Sequence, residues 1–154
     1  MTSDLLRISR NEAGPAIVSE HLRACNAHFV PPLAERVQID SYASKIVGRA
    51  ERFEAWYGGH LIALVAAYCN APTHESAHIT NVSVLPMWHG QGLASHLLRC
   101  CIDHACSLGF KTVDLEVNSD NEAAVALYYK HGFRTAGGTR MSRTLLSPDG
   151  APTS

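Results

Sequence analysis

Nowhere in the 154 residues does an apolar run approach the roughly 18 consecutive residues that span a bilayer. The opening Met1-Thr2-Ser3-Asp4 lacks the basic stretch and following apolar stretch of a secretion signal, so a soluble, cytoplasmic protein with no membrane partner is expected. A surplus of one charge is missing too. Thirteen Lys and Arg against 14 Asp and Glu leave a formal net charge of -1, which gives no overall positive field to gather nucleic acid. The five cysteines, Cys25, Cys69, Cys100, Cys101 and Cys106, are odd in number and include no Cys-x-x-Cys pair. Neither a disulfide framework nor a cysteine zinc site is indicated; reduced packing residues are expected, with a reactive thiol as the alternative. Two common phosphate signatures are absent as well: the Gly-Lys-Ser/Thr of nucleoside triphosphate loops and the Gly-x-Gly-x-x-Gly of dinucleotide folds.

What is present is an ordinary globular composition, 46% hydrophobic and 18% charged, in a length that suits one core. A single domain over 1–146 with a loose tail at 147–154 is expected. A short strand at Leu5 to Ile8 precedes a helix opened by Pro15, and Phe29-Val30-Pro31-Pro32 stops it. A looser helical stripe runs from Val37 to Val47 and ends near Gly48. From Glu51 the period falls to two: Phe53, Ala55 and Tyr57 alternate with Arg52, Glu54 and Trp56, and Gly58-Gly59 turns the chain into an apolar strand ending at Tyr68. Ile79 to Leu85 reads as the next strand. Gln91 to Leu108 carries the clearest helical stripe, closed by Gly109. A strand at Val113 to Val117, a helix at Asn121 to Lys130 capped by Gly132, and a hairpin from Phe133 to Leu146 complete a mixed α/β or α+β order with one strand-helix-strand crossover.

The segment Val82-Ser83-Val84-Leu85-Pro86-Met87-Trp88-His89-Gly90-Gln91-Gly92-Leu93-Ala94-Ser95 joins a strand to the start of that strongest helix. Glycines at 90 and 92 let backbone N–H groups approach a phosphate, and a helix N-terminus adds partial positive charge. Alone, such a turn is more often just a tight turn. Downstream lies Leu115-Glu116-Val117-Asn118-Ser119-Asp120-Asn121-Glu122-Ala123-Ala124-Val125-Ala126-Leu127-Tyr128-Tyr129-Lys130-His131-Gly132-Phe133. Together the two segments, from about Ile79 to Phe133, resemble the GNAT superfamily of N-acetyltransferases. That family has an Arg/Gln-x-x-Gly-x-Gly/Ala turn and a later Asn-x-x-Ala-x-x-Leu-Tyr-x-x-x-Gly-Phe helix. His89 stands where the family has Arg or Gln; Gly92 and Ala94 fit.

The resemblance implies a central, mostly antiparallel twisted sheet of six to seven strands flanked by about four helices. It implies acetyl-CoA as co-substrate, no metal, and transfer of acetyl to a primary amine by direct attack in a ternary complex. Backbone groups of Val82, Ser83 and Val84 would then pair with the pantetheine arm. His89, Gly90, Gln91, Gly92, Leu93, Ala94 and Ser95 would cradle the pyrophosphate. Asn121 would contact the cofactor, or cap the helix after it, or both. Tyr128 matches the family's proton donor to the departing thiolate; packing on the helix's core side is the plainer alternative. Glu116 and His78 fall where different members carry a base, and surface or structural roles weigh as heavily for each. Family acceptors include peptide amines, amino sugars and small amines, and homodimers are common among its members.

Two other readings compete. His74-Glu75-Ser76-Ala77-His78 spells the zinc-protease pattern His-Glu-x-x-His, which needs a helix to bring both histidines to one face. The stretch follows Asn70-Ala71-Pro72-Thr73 and leads into a strand, so a chance match is expected. A CoA-binding module that kept the fold without turnover is the other, suggested by His89.

Overall fold

The computed structural model describes residues 6–145. Leu5, the first residue of the expected first strand, Leu146, the last residue of the expected hairpin, and the expected tail lie outside them. The element order is β1 (Leu6–Arg10), α1 (Pro15–Cys25), α2 (Ile39–Arg49), β2 (Glu51–Tyr57), β3 (His60–Tyr68), β4 (Ser76–Val84), α3 (Leu93–Ser107), β5 (Thr112–Glu116), α4 (Glu122–Lys130), β6 (Arg134–Thr135) and β7 (Arg140–Thr144). The seven strands form one sheet in the order β1-β2-β3-β4-β5-β7-β6. Every neighbouring pair is antiparallel except β4 and β5, which α3 joins as a crossover. The expected sheet and the four α-helices are therefore what the chain forms.

Both faces of the sheet are covered. On one, Val18 and Leu22 of α1 and Ile46 of α2 pack on Trp56, Leu64 and Ala66. On the other, Leu97, Leu98 and Cys101 of α3 pack on Ile62, Val65, Ile79 and Leu115. Each fully buried Leu or Phe in such layers contributes on the order of 1.5–3 kcal/mol. This double cover changes the meaning of the alternation in β2. Arg52, Glu54 and Trp56 are buried like Phe53 and Ala55, because the α1/α2 layer occupies the face that period-two patterning would give to water. Glu54 is fully enclosed and accepts hydrogen bonds from Ser9 Oγ and from the Glu12 and Ala13 amides, with the Arg52 Nε at 3.4 Å.

Helices α3 and α4 end alike. Gly109, at φ +86°, and Gly132, at φ +89°, allow Phe110 N–H to reach Ala105 O and Phe133 N–H to reach Tyr128 O, at 3.1 and 3.0 Å. Each turn drops a wholly buried phenylalanine into the α3 core. Gly48, by contrast, does not stop α2: it lies inside the helix, which ends one residue later against Ala50.

Two irregularities shape the sheet. Ile62 is an extra residue in β3, since Ala55 pairs with Ala63 while Trp56 pairs with Leu61. Thr80 is an extra residue in β4, since Ala66 pairs with Asn81 while Ala67 pairs with Ile79. Strand β4 also begins at Ser76, three residues before the expected start. Its first turn of chain, Ser76 to Ile79, ladders in parallel with Thr112 to Leu115 of β5, a non-local pairing that stabilises a segment with little strand pattern of its own.

Candidate active site

The β4–β5 ladder stops at Ile79 and Leu115, next to the Thr80 bulge, and beyond it the strands diverge. Tyr42 of α2 holds the bulge, its hydroxyl 2.6 Å from Thr80 O and 2.8 Å from Thr80 Oγ1. Leu85 N–H donates to Ile62 O of β3 at 2.8 Å. Peptide groups alternate direction along a strand, so those of Val84 and Val82 face away from β3, into the gap. There a cleft of about 390 Å³ opens, with Thr80 to Val84 on one wall and Glu116 to Asn118, Asn121, Ala124, Leu127 and Tyr128 on the other. Phe29, Val30, Pro31 and Arg36, from the connection between α1 and α2, close one side.

The glycine turn lies just past the end of β4. Gly90 and Gly92 sit at φ +79° and +78°, and a Cβ on either would meet nothing within 4 Å. Glycine is required there by backbone conformation, while the space beside the turn stays open. Gly92 is the N-cap of α3 and supplies no side-chain acceptor, so the first-turn amides of Leu93, Ala94 and Ser95 are left as free donors. That is an anion-binding geometry.

His89 is turned differently from the sequence expectation. Its Nε2 lies 2.9 Å from Val84 O, and its ring meets that of His28 edge-on at 5.3 Å. The Nε2–H donates to the strand, so the side chain covers a backbone acceptor at the cleft instead of reaching the turn's open side.

Tyr128, 7% exposed, borders the cleft and packs edge-on against Phe133 at 6.0 Å. Burial pushes its hydroxyl up to about 12, so it stays protonated throughout the neutral range. Asn121 both caps α4, accepting from Ala124 N–H at 3.3 Å, and lines the cleft, so its two expected roles are compatible. Glu116 stands exposed at the end of β5 and accepts from Thr139 Oγ1 at 2.8 Å. Ser83 points its hydroxyl at α1, with Oγ 2.9 Å from His21 Nε2; burial lowers His21 to about 4, which keeps it neutral.

His78 is not among the residues lining the cleft. It stands in the closed part of the β4–β5 ladder, with Nδ1 2.6 Å from Asp114 Oδ1. His74 lies in the turn before β4, its ring tilted against that of Phe110 at a centroid distance of 4.8 Å. The two histidines of the His-Glu-x-x-His string thus share no helix face. Among the described residues no group of three or more His, Cys, Asp or Glu is placed to hold a metal ion. Burial pushes the Cys25 thiol up to about 12 and Cys69 up to about 11, with Cys101 raised further, which disfavours the thiolate at these three positions.

A strand end with outward-facing peptide groups, followed by a glycine turn that opens a helix, is what the resemblance implied for Val82 to Ser95, and the comparisons agree on the family. The profile of the Acetyltransferase (GNAT) family matches residues 16–133. The chain belongs to the GNAT acetyltransferase family. A ribosomal protein bS18-alanine N-acetyltransferase of Escherichia coli strain K12 is 40% identical over 62 residues, which is 40% of this chain and 42% of that enzyme. The alignment thus spans less than half of the curated relative. The crystal structure of the ribosomal-protein-S18-alanine N-acetyltransferase from Escherichia coli superimposes with a TM-score of 0.75 at 25% identity, covering 92% of this chain and 94% of that one. A GNAT family acetyltransferase from Elizabethkingia anophelis, solved with acetyl-CoA bound, shares the fold at 19% identity and a TM-score of 0.70, over 92% and 99% of the chains.

Of the residues singled out from this GNAT chain's sequence, Val82, Ser83, Val84, His89, Asn121, Glu116 and Tyr128 come together around the cleft; Gly90, Gln91, Gly92, Leu93, Ala94 and Ser95 form the turn past the end of β4 and are not among its lining residues, nor is His78. Sequence reading missed Thr80, Arg36 and Thr139. The Thr80 bulge had a signal: in Ile79-Thr80-Asn81-Val82 two polar residues fall together and break the alternation. Arg36 and Thr139 had none, because each arrives from a distant loop.

Proposed function

We propose that this chain transfers the acetyl group of acetyl-CoA to a primary amine, and that the acceptor is the α-amine of a peptide or protein. The observation that carries the reading is the cleft itself. The peptide groups of Val82 and the N–H of Val84 face away from β3 into the cleft, Tyr128 lines its wall, and the glycine turn with the free first-turn amides of α3 follows the end of β4. Pantetheine carries amides that can extend β4 as an added strand, and the pyrophosphate suits the amides of Gly90 to Ser95.

In the ternary complex the amine nitrogen attacks the thioester carbonyl, the C–N bond forms, and the C–S electrons leave with sulfur. Glu116, oriented by Thr139, receives the amine's proton directly or through water. Tyr128 donates a hydrogen bond to the departing sulfur. A phenol raised to about 12 is a weaker acid than a thiol and would give up its proton uphill to the departing thiolate, so Tyr128 stabilises charge more than it surrenders a proton. The name of the Escherichia coli relative favours a protein amine over a sugar. A peptide α-amine, with a reference pKa of about 7.7–8.0, is also partly neutral at working pH, unlike lysine at about 10.4.

Calorimetric titration of acetyl-CoA into the wild type and Gly92→Asp tests this reading. Saturable binding is expected for the wild type and none for the variant, which sets a carboxylate against the phosphate and puts a side chain at φ +78°. No wild-type binding at millimolar ligand would sink it. Mass spectrometry should then show a 42 Da gain, about the mass of one acetyl group on one amine, on a peptide with a free amino terminus and not on its N-blocked counterpart.

The way His89 covers Val84 O favours a second reading, a CoA-binding module with little turnover. His89→Arg discriminates. It frees the carbonyl and adds a permanent charge near the turn, and should tighten CoA binding about three- to tenfold. A rise in acetylation at subsaturating acetyl-CoA supports the enzyme; tighter binding with no acetylation by either protein supports the module.

A further inference from the structure

A second hollow, of about 320 Å³, opens between α3, the end of α4 and β7. It is lined by Arg99 of α3, Lys130 and His131 at the end of α4, and Arg143 of β7, with Asp103 as the carboxylate among its lining residues. Among the described residues, Arg99, Lys130 and Arg143 take part in no ion pair. The group is close enough to act on itself. His131 is held below the ordinary histidine range first by burial and then by the charges of Arg99, Lys130 and Arg143. A cation at a helix C-terminus complements the helix dipole, which accounts for Lys130 but not for Arg99 within α3 or Arg143 on a strand. Gly132 contributes by lacking a side chain: a Cβ there would lie 2.9 Å from Arg143 Nε, so the bare backbone lets the arginine lie across the end of α4.

The hollow is tied to the phosphate turn. His131 Nε2 lies 2.7 Å from Ser95 Oγ, and Ser95 belongs to the first turn of α3 whose amides face the proposed pyrophosphate. Arg99 follows Ser95 by four residues on the same helix face, a rise of about 6 Å. A ligand with its pyrophosphate on the turn and a further phosphate one ribose away would set that dianion among the four basic groups. We propose that Arg99, Lys130, His131 and Arg143 form a second anion site for the 3′-phosphate of CoA, so that this chain distinguishes CoA from its 3′-dephospho form. The proposal rests on the acetyl-CoA reading, and the test separates the two.

CoA and 3′-dephospho-CoA are titrated in parallel into the full chain by calorimetry, at low and at high salt. At low salt the dephospho form should bind about tenfold more weakly or worse, the size of one lost charge-assisted contact, and the gap should narrow as salt screens the site. Arg99→Gln and Lys130→Gln alter exposed side chains, so folding should survive. Each should weaken CoA toward the affinity of the dephospho form and leave the dephospho form unchanged. Equal affinities for the two ligands in the wild type, or equal weakening of both in the variants, would overturn the second site while acetyl-CoA binding stood. Binding of neither ligand would remove the acetyl-CoA reading and the proposal with it.

Discussion

Tyr128→Phe should lower the acetyl-transfer rate constant by about 10²- to 10³-fold while the Kd for CoA moves by no more than about twofold. The ring is what packs: it lies edge-on to Phe133 within the α3 core, and phenylalanine preserves that contact. The hydroxyl is what acts. It has no hydrogen-bond partner among the described residues and borders the cleft, so its removal deletes one donor toward the leaving sulfur and leaves no protein group unsatisfied. Such a donor works on charge present only in the transition state, which is why kcat should fall and ground-state binding should not. Single-turnover transfer at saturating acetyl-CoA, with calorimetric Kd and melting temperature measured on the same samples, checks this. A rate within threefold of wild type, well inside the roughly tenfold that 1.4 kcal/mol represents, would remove Tyr128 from the chemistry. A large drop in melting temperature would assign it to packing instead.

The largest stability effect is expected at Glu54. Glu54→Ala should cost about 3–5 kcal/mol, because it strands the buried Arg52 guanidinium and removes the acceptor of Ser9 Oγ and the Glu12 and Ala13 amides. Those donors lie where β1 hands over to α1, so the N-terminal layer should loosen first. Against a typical total of about 5–15 kcal/mol, the loss brings a domain of this size near its unfolding threshold. Glu12→Gln is the control. Its pair with Arg7 at 2.6 Å has side chains 51% and 53% exposed, and screening by water should hold its effect below about 1 kcal/mol. Urea unfolding of the three proteins, with the m-value monitored, separates these outcomes.

Glu54 also shows where patterning misleads. Its place in Phe53-Glu54-Ala55-Trp56 reads as a strand with one wet face, yet the strand carries helices on both sides. Local alternation records the period of a strand, and which faces end up dry depends on what the rest of the chain lays over them. The same gap separates the two readings of His89. Its position in the turn was legible from the spacing to Gly92 and Ala94, but the direction of its ring is set by Val84 O and by His28 from another element. For His78 the register decided the matter: pairing with Asp114 places it in the closed half of the ladder, away from the diverging strands.

Sequence by itself determined the order of strands and helices, the glycine turn, the motif from Asn121 to Phe133 and hence the family, because these depend on residues close together in the chain. Period, proline and glycine positions act locally. Tertiary structure alone decided where β4 begins, which side of the ladder holds the cleft, the burial of Arg52 and Glu54, and the gathering of Arg99, Lys130, His131 and Arg143 from three elements. Those features arise from pairings and approaches between segments distant in sequence, whose geometry is fixed only when the sheet closes its register and the helices settle on its two faces.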